Sequence, residues 1–382
     1  MCTARTLTAL LVISSACGGE PPPAPLPPST TAPALSASAA PEVAATASAA
    51  SAAPAAVVPP AAPPPAQLSF KPLALPGATG TAFLDYIVYE RGRSRVWVPV
   101  ASTGSVDVLD VASGNFTRVD GFKTEEREVK GKKRTFGPSA ATVGDGYVYV
   151  GNRATSEVCP IDVKTLKAAK CLKLPSATDG VAYAASTKEV WVTTPKDQSL
   201  TVLDASKPGA LKVKTTIKVD GAPEGYAVDE VHGLFFTNLE DKGGTVVIDM
   251  KTHKVKTTWP SGCGADGPRG IAFDATHNFV IVACTDGVRV LDGAHDGAQL
   301  GTLETGAGVD NIDYVDGKQL VYVGAAKAAK LTIARVDATG QLTIVAAGAT
   351  SEGARNAVAD ANGNAYVADS ANSRLLVLAY AP

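Results

Sequence analysis

Seven residues occupy one recurring place in this chain, and six of them are charged: Asp85, Ser139, Asp179, Glu224, Arg269, Asp310 and Arg355. The register rests on a constant offset. Asp85 precedes Trp97, Asp179 precedes Trp191, Glu224 precedes Phe236, Arg269 precedes Ile281 and Asp310 precedes Tyr322, each by 12 residues. If the repeats close into a ring, four carboxylates and two arginines meet at one opening. Two chemistries suit such a set. Arginines fork onto a carboxylate or phosphate of a ligand. Carboxylates joined by an amide oxygen hold Ca²⁺, which prefers oxygen ligands. Glu224, Asp310 and Asn311 are the candidate metal ligands, and Asn356 stands beside Arg355 as Asn311 does beside Asp310. The opposing reading is that acids and arginines neutralise each other across a wet channel.

The elements that must position these residues are strands. A phrase ending in Asp recurs at Asp110, Asp162, Asp204, Asp249, Asp292 and Asp337, in steps of 52, 42, 45, 43 and 45 residues. A seventh copy, Leu376-Val377-Leu378-Ala379, has lost the Asp. Each unit also carries a β-branched and aromatic run, such as Val96-Trp97-Val98, Tyr147-Val148-Tyr149-Val150 or Leu320-Val321-Tyr322-Val323. A period in the forties with several strands per unit predicts an all-β, seven-bladed β-propeller of four-stranded antiparallel blades. The repeated aspartates are expected to accept from backbone N–H groups two residues on, as turn formers and not catalysts.

Seven units fit between Ala82 and Ala381, and the last has no room for a fourth strand. The segment 67–74 is expected to supply it and close the ring, so that no sheet edge is left at the junction. In such a ring the loop before each inner strand and the loop after the second strand share one face. That funnel face therefore gains Asn152 and Arg153, Lys196 and Asp197, and Asn238, Glu240 and Asp241. The four histidines, His232, His253, His277 and His295, fall in turns of the other face. That placement argues against a His-bound metal. The 52-residue step holds a charged insertion from Phe122 to Arg134, either a solvated hairpin extension or a flap at the rim for docking a partner.

Residues 1–16 have one basic residue, a short apolar run and small residues before Cys17, as a lipoprotein-type signal peptide does. The resemblance to a bacterial lipobox implies lipidation of Cys17, although Ser14 stands where that motif prefers Leu. Residues 17–66 are almost wholly Pro, Ala, Ser, Thr and Val. They cannot bury enough apolar surface to fold and read as a disordered tether, with a reach on the order of 100 Å in extended polyproline geometry. The folded domain is assigned to residues 67–382. Its four cysteines suggest two disulfides in an exported chain, Cys159–Cys171 and Cys263–Cys284. There is no Cys-x-x-Cys to favour zinc. With a net charge of −2 and no basic stripe, nucleic acid is not an expected partner.

The run Tyr147-Val148-Tyr149-Val150-Gly151-Asn152, followed by a strand ending in Ile161-Asp162, resembles the YVTN-type, YncE-like propellers of bacterial exported proteins. The similarity covers about residues 70–382. It implies a cell-envelope protein, anchored by its N-terminal lipid at the outer membrane. Such a protein would be a binding or scaffold module, taking an envelope protein or a small polar ligand on its funnel face. A wider resemblance to gluconolactonase-like propellers implies the alternative, a divalent-metal-dependent lactonase-like hydrolase with Ca²⁺ in the channel. The chain has no Gly-x-Ser-x-Gly elbow, phosphate loop, haem-attachment motif or dinucleotide fingerprint. The non-enzymatic reading therefore comes first, and an electron-transfer role has no visible cofactor site.

Overall fold

The computed structural model describes residues 64–129, 131–264 and 267–379. The signal-peptide and tether assignments, 1–16 and nearly all of 17–66, and with them Cys17, lie outside the described residues.

Seven sheets form the blades of a β-propeller, each with four antiparallel strands, and the sixth gains a short fifth strand in parallel. The fourth blade shows the pattern: Pro223–Asp229 innermost, then Leu234–Leu239, Gly244–Asp249 and Lys254–Pro260 at the outside. Its second and third strands are almost wholly buried, and its outer strand is mostly exposed. That gradient is why the β-branched and aromatic runs stand out in sequence while the outer strands do not. Among the described residues, seven apolar clusters fill the seven interfaces between neighbouring blades. The cluster of Leu84, Val96, Val98, Leu109, Tyr366 and Leu375 joins the last blade to the first.

The last blade takes its outer strand from the start of the domain. Lys71–Ala74 lies antiparallel to Arg374–Leu378, with Pro72 opposite Leu376. The segment 67–74 is not one strand, however. Ala66–Gln67 pairs in parallel with the outer strand of the sixth blade, Leu342–Ala349. Leu68 and Phe70 then turn into the interface between the sixth and seventh blades. Burying these two side chains at that seam breaks the strand in the middle.

The repeated aspartates form turns. Asp162 Oδ1 accepts from the N–H of Lys164 and Thr165 at 2.9 and 2.8 Å. Asp110, Asp204, Asp249, Asp292 and Asp337 accept in the same way from Ser113, Ser206, Thr252, Ala294 and Thr339. Both disulfides are formed. Cys159–Cys171 ties the third strand of the second blade to the segment before its outer strand. Cys263–Cys284 ties the loop entering the fifth blade to the end of that blade's second strand, on the funnel face.

The insertion is a hairpin of Glu125–Val129 and Lys132–Phe136 on that same face. It does not stand free in solvent. Arg127 Nη2 donates to Ala154 O at 3.1 Å, and Asn152 Nδ2 donates to Lys123 O at 3.0 Å. The Arg134 guanidinium lies 3.7 Å from the centre of the Phe83 ring.

Candidate functional site

The ring residues owe their aim to a repeated irregularity. In the fourth to seventh blades the inner strand carries a bulge at the ring position. Glu224 pairs with Asn238 but the next pair is Tyr226 with Thr237, which leaves Gly225 extra. The register shifts likewise at Arg269-Gly270, Asp310-Asn311 and Arg355-Asn356. In the second blade the shift falls at Ser139. A bulge bends the strand and redirects a side chain. The extra residue needs a left-handed backbone in two of these blades, with φ +60° at Gly225 and +59° at Asn356. Asn accepts that conformation better than other non-glycine residues. At the matching place in the fifth blade a Cβ on Gly270 would come within 2.8 Å of Asn311 Cα, so the blades touch there backbone to backbone.

Acids and arginines pair across the ring. Arg153 Nη2 binds Asp85 Oδ2 at 3.0 Å and also pairs with Asp179. Arg355 Nη1 binds Asp310 Oδ2 at 2.9 Å. Arg269 pairs with Glu240. Asn356 is a latch: its amide donates to Asp85 O at 3.1 Å, and its Oδ1 accepts from Asn311 N at 3.0 Å. It thus holds the first, sixth and seventh blades together. Asn238 and Asp241 serve the backbone instead. Asn238 Nδ2 donates to Arg269 O at 2.7 Å, and Asp241 Oδ1 accepts from Ala222 N at 2.7 Å. Ser139 is buried with its Oγ unpartnered, as are Asp179 Oδ2 and Asn311 Nδ2, among the described residues.

Glu224 is the acid without an arginine of its own. Burial, then Asp310, Asp85 and Glu240, push its carboxyl up to about 8, against the partial opposition of Arg153. It is therefore largely protonated at neutral pH. Asp310 is also raised, by burial first, with Arg355 pulling the other way.

Beneath the ring two tyrosines cross the channel. Tyr86 does not run in its own blade. It bridges in parallel to Ala140 of the second blade, and its hydroxyl accepts from Gly225 N of the fourth at 3.1 Å. It stacks on Tyr226 with ring centres 5.6 Å apart. Burial first, then Glu224, Asp85 and Asp310, hold the Tyr86 hydroxyl well above its ordinary range, so it stays neutral. The funnel is a cup narrowed at its base by Tyr86 and Tyr226.

The donor set does not suit a divalent cation. Among the described residues no group of three or more His, Cys, Asp or Glu side chains is placed to hold one. Of the three proposed ligands, Asp310 is already paired with Arg355. Three arginines in the same ring oppose a further positive charge. The histidines are each held by a carboxylate away from the funnel: His232 by Asp229 at 2.7 Å, His253 by Glu189 at 3.0 Å, His277 by Asp274 at 2.8 Å and His295 by Asp292 at 2.7 Å.

Two functional features escape sequence reasoning. The central role of Arg153, which holds two acids, has no signal beyond its face. Phe83 and Arg134 are 51 residues apart, and nothing in the repeat marks their stacking.

No family model matches the chain, and no curated protein matches it. Solved structures do. A chain in the crystal structure of the mitotic checkpoint complex is 13% identical with a TM-score of 0.67, covering 85% of this chain and 98% of that one. The hydrazine synthase of Kuenenia stuttgartiensis gives 14% identity and a TM-score of 0.64, over 80% of this chain and 99% of the other. The virginiamycin B lyase from Staphylococcus aureus gives 12% and 0.64, over 82% and 100%. At such identities the likeness shows the seven-bladed propeller fold and no shared chemistry.

Proposed function

We propose that this protein is a binding module of the YVTN-type, YncE-like kind, exported, lipid-anchored through Cys17, and engaging an envelope protein or small polar ligand with its funnel face. The observation that carries the binding reading is the cup itself. Its base is narrowed by Tyr86, its charges are mostly spent on one another, and among the described residues its acids are not grouped to hold a metal. A cup of this kind offers a shaped, charged surface without a nucleophile–base pair. Two disulfides suit an oxidising compartment. The lactonase-type alternative needs a ligand cluster that the ring residues do not form.

The test is to purify the full-length protein from its own cells and weigh what comes with it by native mass spectrometry. A funnel-rim variant, Lys196→Glu with Asp241→Lys, is compared with an opposite-face variant, Lys188→Glu with Glu230→Lys. Loss of the co-purifying species from the rim variant alone supports the reading. Equal retention by both variants contradicts it. Labelled palmitate incorporation that vanishes in Cys17→Ser tests the anchor; labelling that persists in the variant removes it.

A further inference from the structure

The hairpin and the propeller enclose a second space beside the ring. It has a volume of about 630 Å³ and lies between Val129 and Lys132–Thr135 of the hairpin, Phe83 and Ser102 of the first blade, and Ala326, Gly353, Arg355 and Ser370 of the sixth and seventh. Volumes of 300–1,000 Å³ are typical of small-molecule sites. Four cations line it, Lys132, Lys133, Arg134 and Arg355, and no carboxylate does.

Arg134 decides how this space is read. Its side chain is partly buried, yet among the described residues that side chain makes no ion pair and no hydrogen bond. Its close contacts among the described residues are aromatic faces, Phe83 at 3.7 Å and Phe136 at 5.5 Å. Arg153 also lies over Phe83, at 5.2 Å. Burial, then repulsion from Arg153, lowers the Arg134 guanidinium's affinity for its proton; Asp85 offsets part of this and Arg355 adds to it. An arginine so placed is held in orientation by stacking while its five donors stay free. Desolvating an unpaired cation beside two others is unfavourable unless an anion compensates it. Elsewhere on this face each ring arginine has its carboxylate. Arg134 has none.

We propose that the space beneath the hairpin binds a small organic polyanion, bearing two or more carboxylate or phosphate groups, with Arg134 as the principal contact and Lys132, Lys133 and Arg355 around it. The apolar wall of Phe83, Val129 and Ala326 receives the carbon skeleton. This rests on the funnel-face reading and names its ligand class. The volume of the space, within the small-molecule range, favours a small molecule over an extended acidic chain.

The experiment is calorimetric titration of the full chain with citrate, glucose 6-phosphate, inorganic phosphate and glucose, at low salt and at 0.5 M salt. The expected result is saturable binding of citrate or glucose 6-phosphate that weakens at least tenfold in high salt, with none for glucose. Citrate against glucose 6-phosphate separates a carboxylate from a phosphate preference; inorganic phosphate alone should bind more weakly than either. Arg134→Gln should weaken binding at least tenfold while the protein still melts in one cooperative transition, and Arg134→Lys should restore part of the binding. Lys132→Gln with Lys133→Gln should weaken it less. Absence of saturable binding by either organic anion overturns the proposal, as does an Arg134→Gln protein that binds like the native one. If the rim variant still loses a co-purifying protein, the funnel-face reading stands without this site.

Discussion

Replacing Glu224 by Gln should make the propeller more stable at pH 8 and leave it unchanged near pH 4. The carboxyl sits at about 8 in the folded chain against 4.5 when free. Its folded pKa is raised, so its contribution is complete below about pH 4.5, where both states are protonated. It is lost as pH climbs toward 8, because unfolding then releases a proton that the fold retains. At 1.36 kcal/mol per pK unit the full shift is worth about 5 kcal/mol, and water at the channel mouth reduces it to roughly 2–3. In a domain of about 315 residues, unfolding entropy near 2.1 cal/mol/K per residue converts that to a rise of about 3–4 °C in Tm. The assay is thermal unfolding of both proteins from pH 4 to 9, plotted as the difference. Groups common to both proteins largely cancel. A difference that stays flat with pH, or a variant less stable at pH 8, refutes the reasoning that burial and clustered acids keep Glu224 protonated.

Asn356→Ala should cost about 2–4 kcal/mol, since it removes two buried hydrogen bonds and puts Ala at φ +59°; denaturant melts check this, and a loss below about 1 kcal/mol would dismiss the latch. Reducing the two disulfides should lower Tm, with about 2–4 kcal/mol from each; a melt unmoved by reductant would mean they contribute nothing. The six repeat aspartates are held below the usual carboxylate value, chiefly by backbone and side-chain hydrogen bonds in their turns. Their contribution is therefore present above about pH 4 and lost as pH falls through the folded values. Asp162→Ala should be less stable than native at pH 7 and converge with it at pH 2; parallel acid-unfolding curves would contradict this.

The fold was legible because its determinants are local and repeated. A strand buried on both faces needs Val, Ile and aromatics, as at Val96–Val98, and a tight turn needs an Asp at its start, as at Asp162. The ring positions were legible from the same period. What they do there was not, because it depends on contacts between distant blades: Asn356 with Asp85, Arg153 with Asp179, Tyr86 with Gly225. The bulges left a faint mark, Gly225, Gly270, Asn311 and Asn356 at one place in four repeats, but only the strand register gives those residues meaning. The hairpin was visible as a long step between repeats. Its inward packing was not, since Arg134 looks in sequence like one more surface cation.

The central claim is that this propeller works through its funnel face. Photo-crosslinkers placed one at a time at Lys196 and Glu352 on that rim, and at Lys188 and Val231 on the opposite face, test it most directly in living cells. All four positions are exposed. Adducts formed from the rim positions and absent from the other two are the predicted result. Adducts from Lys188 and Val231 with a silent rim would contradict the account.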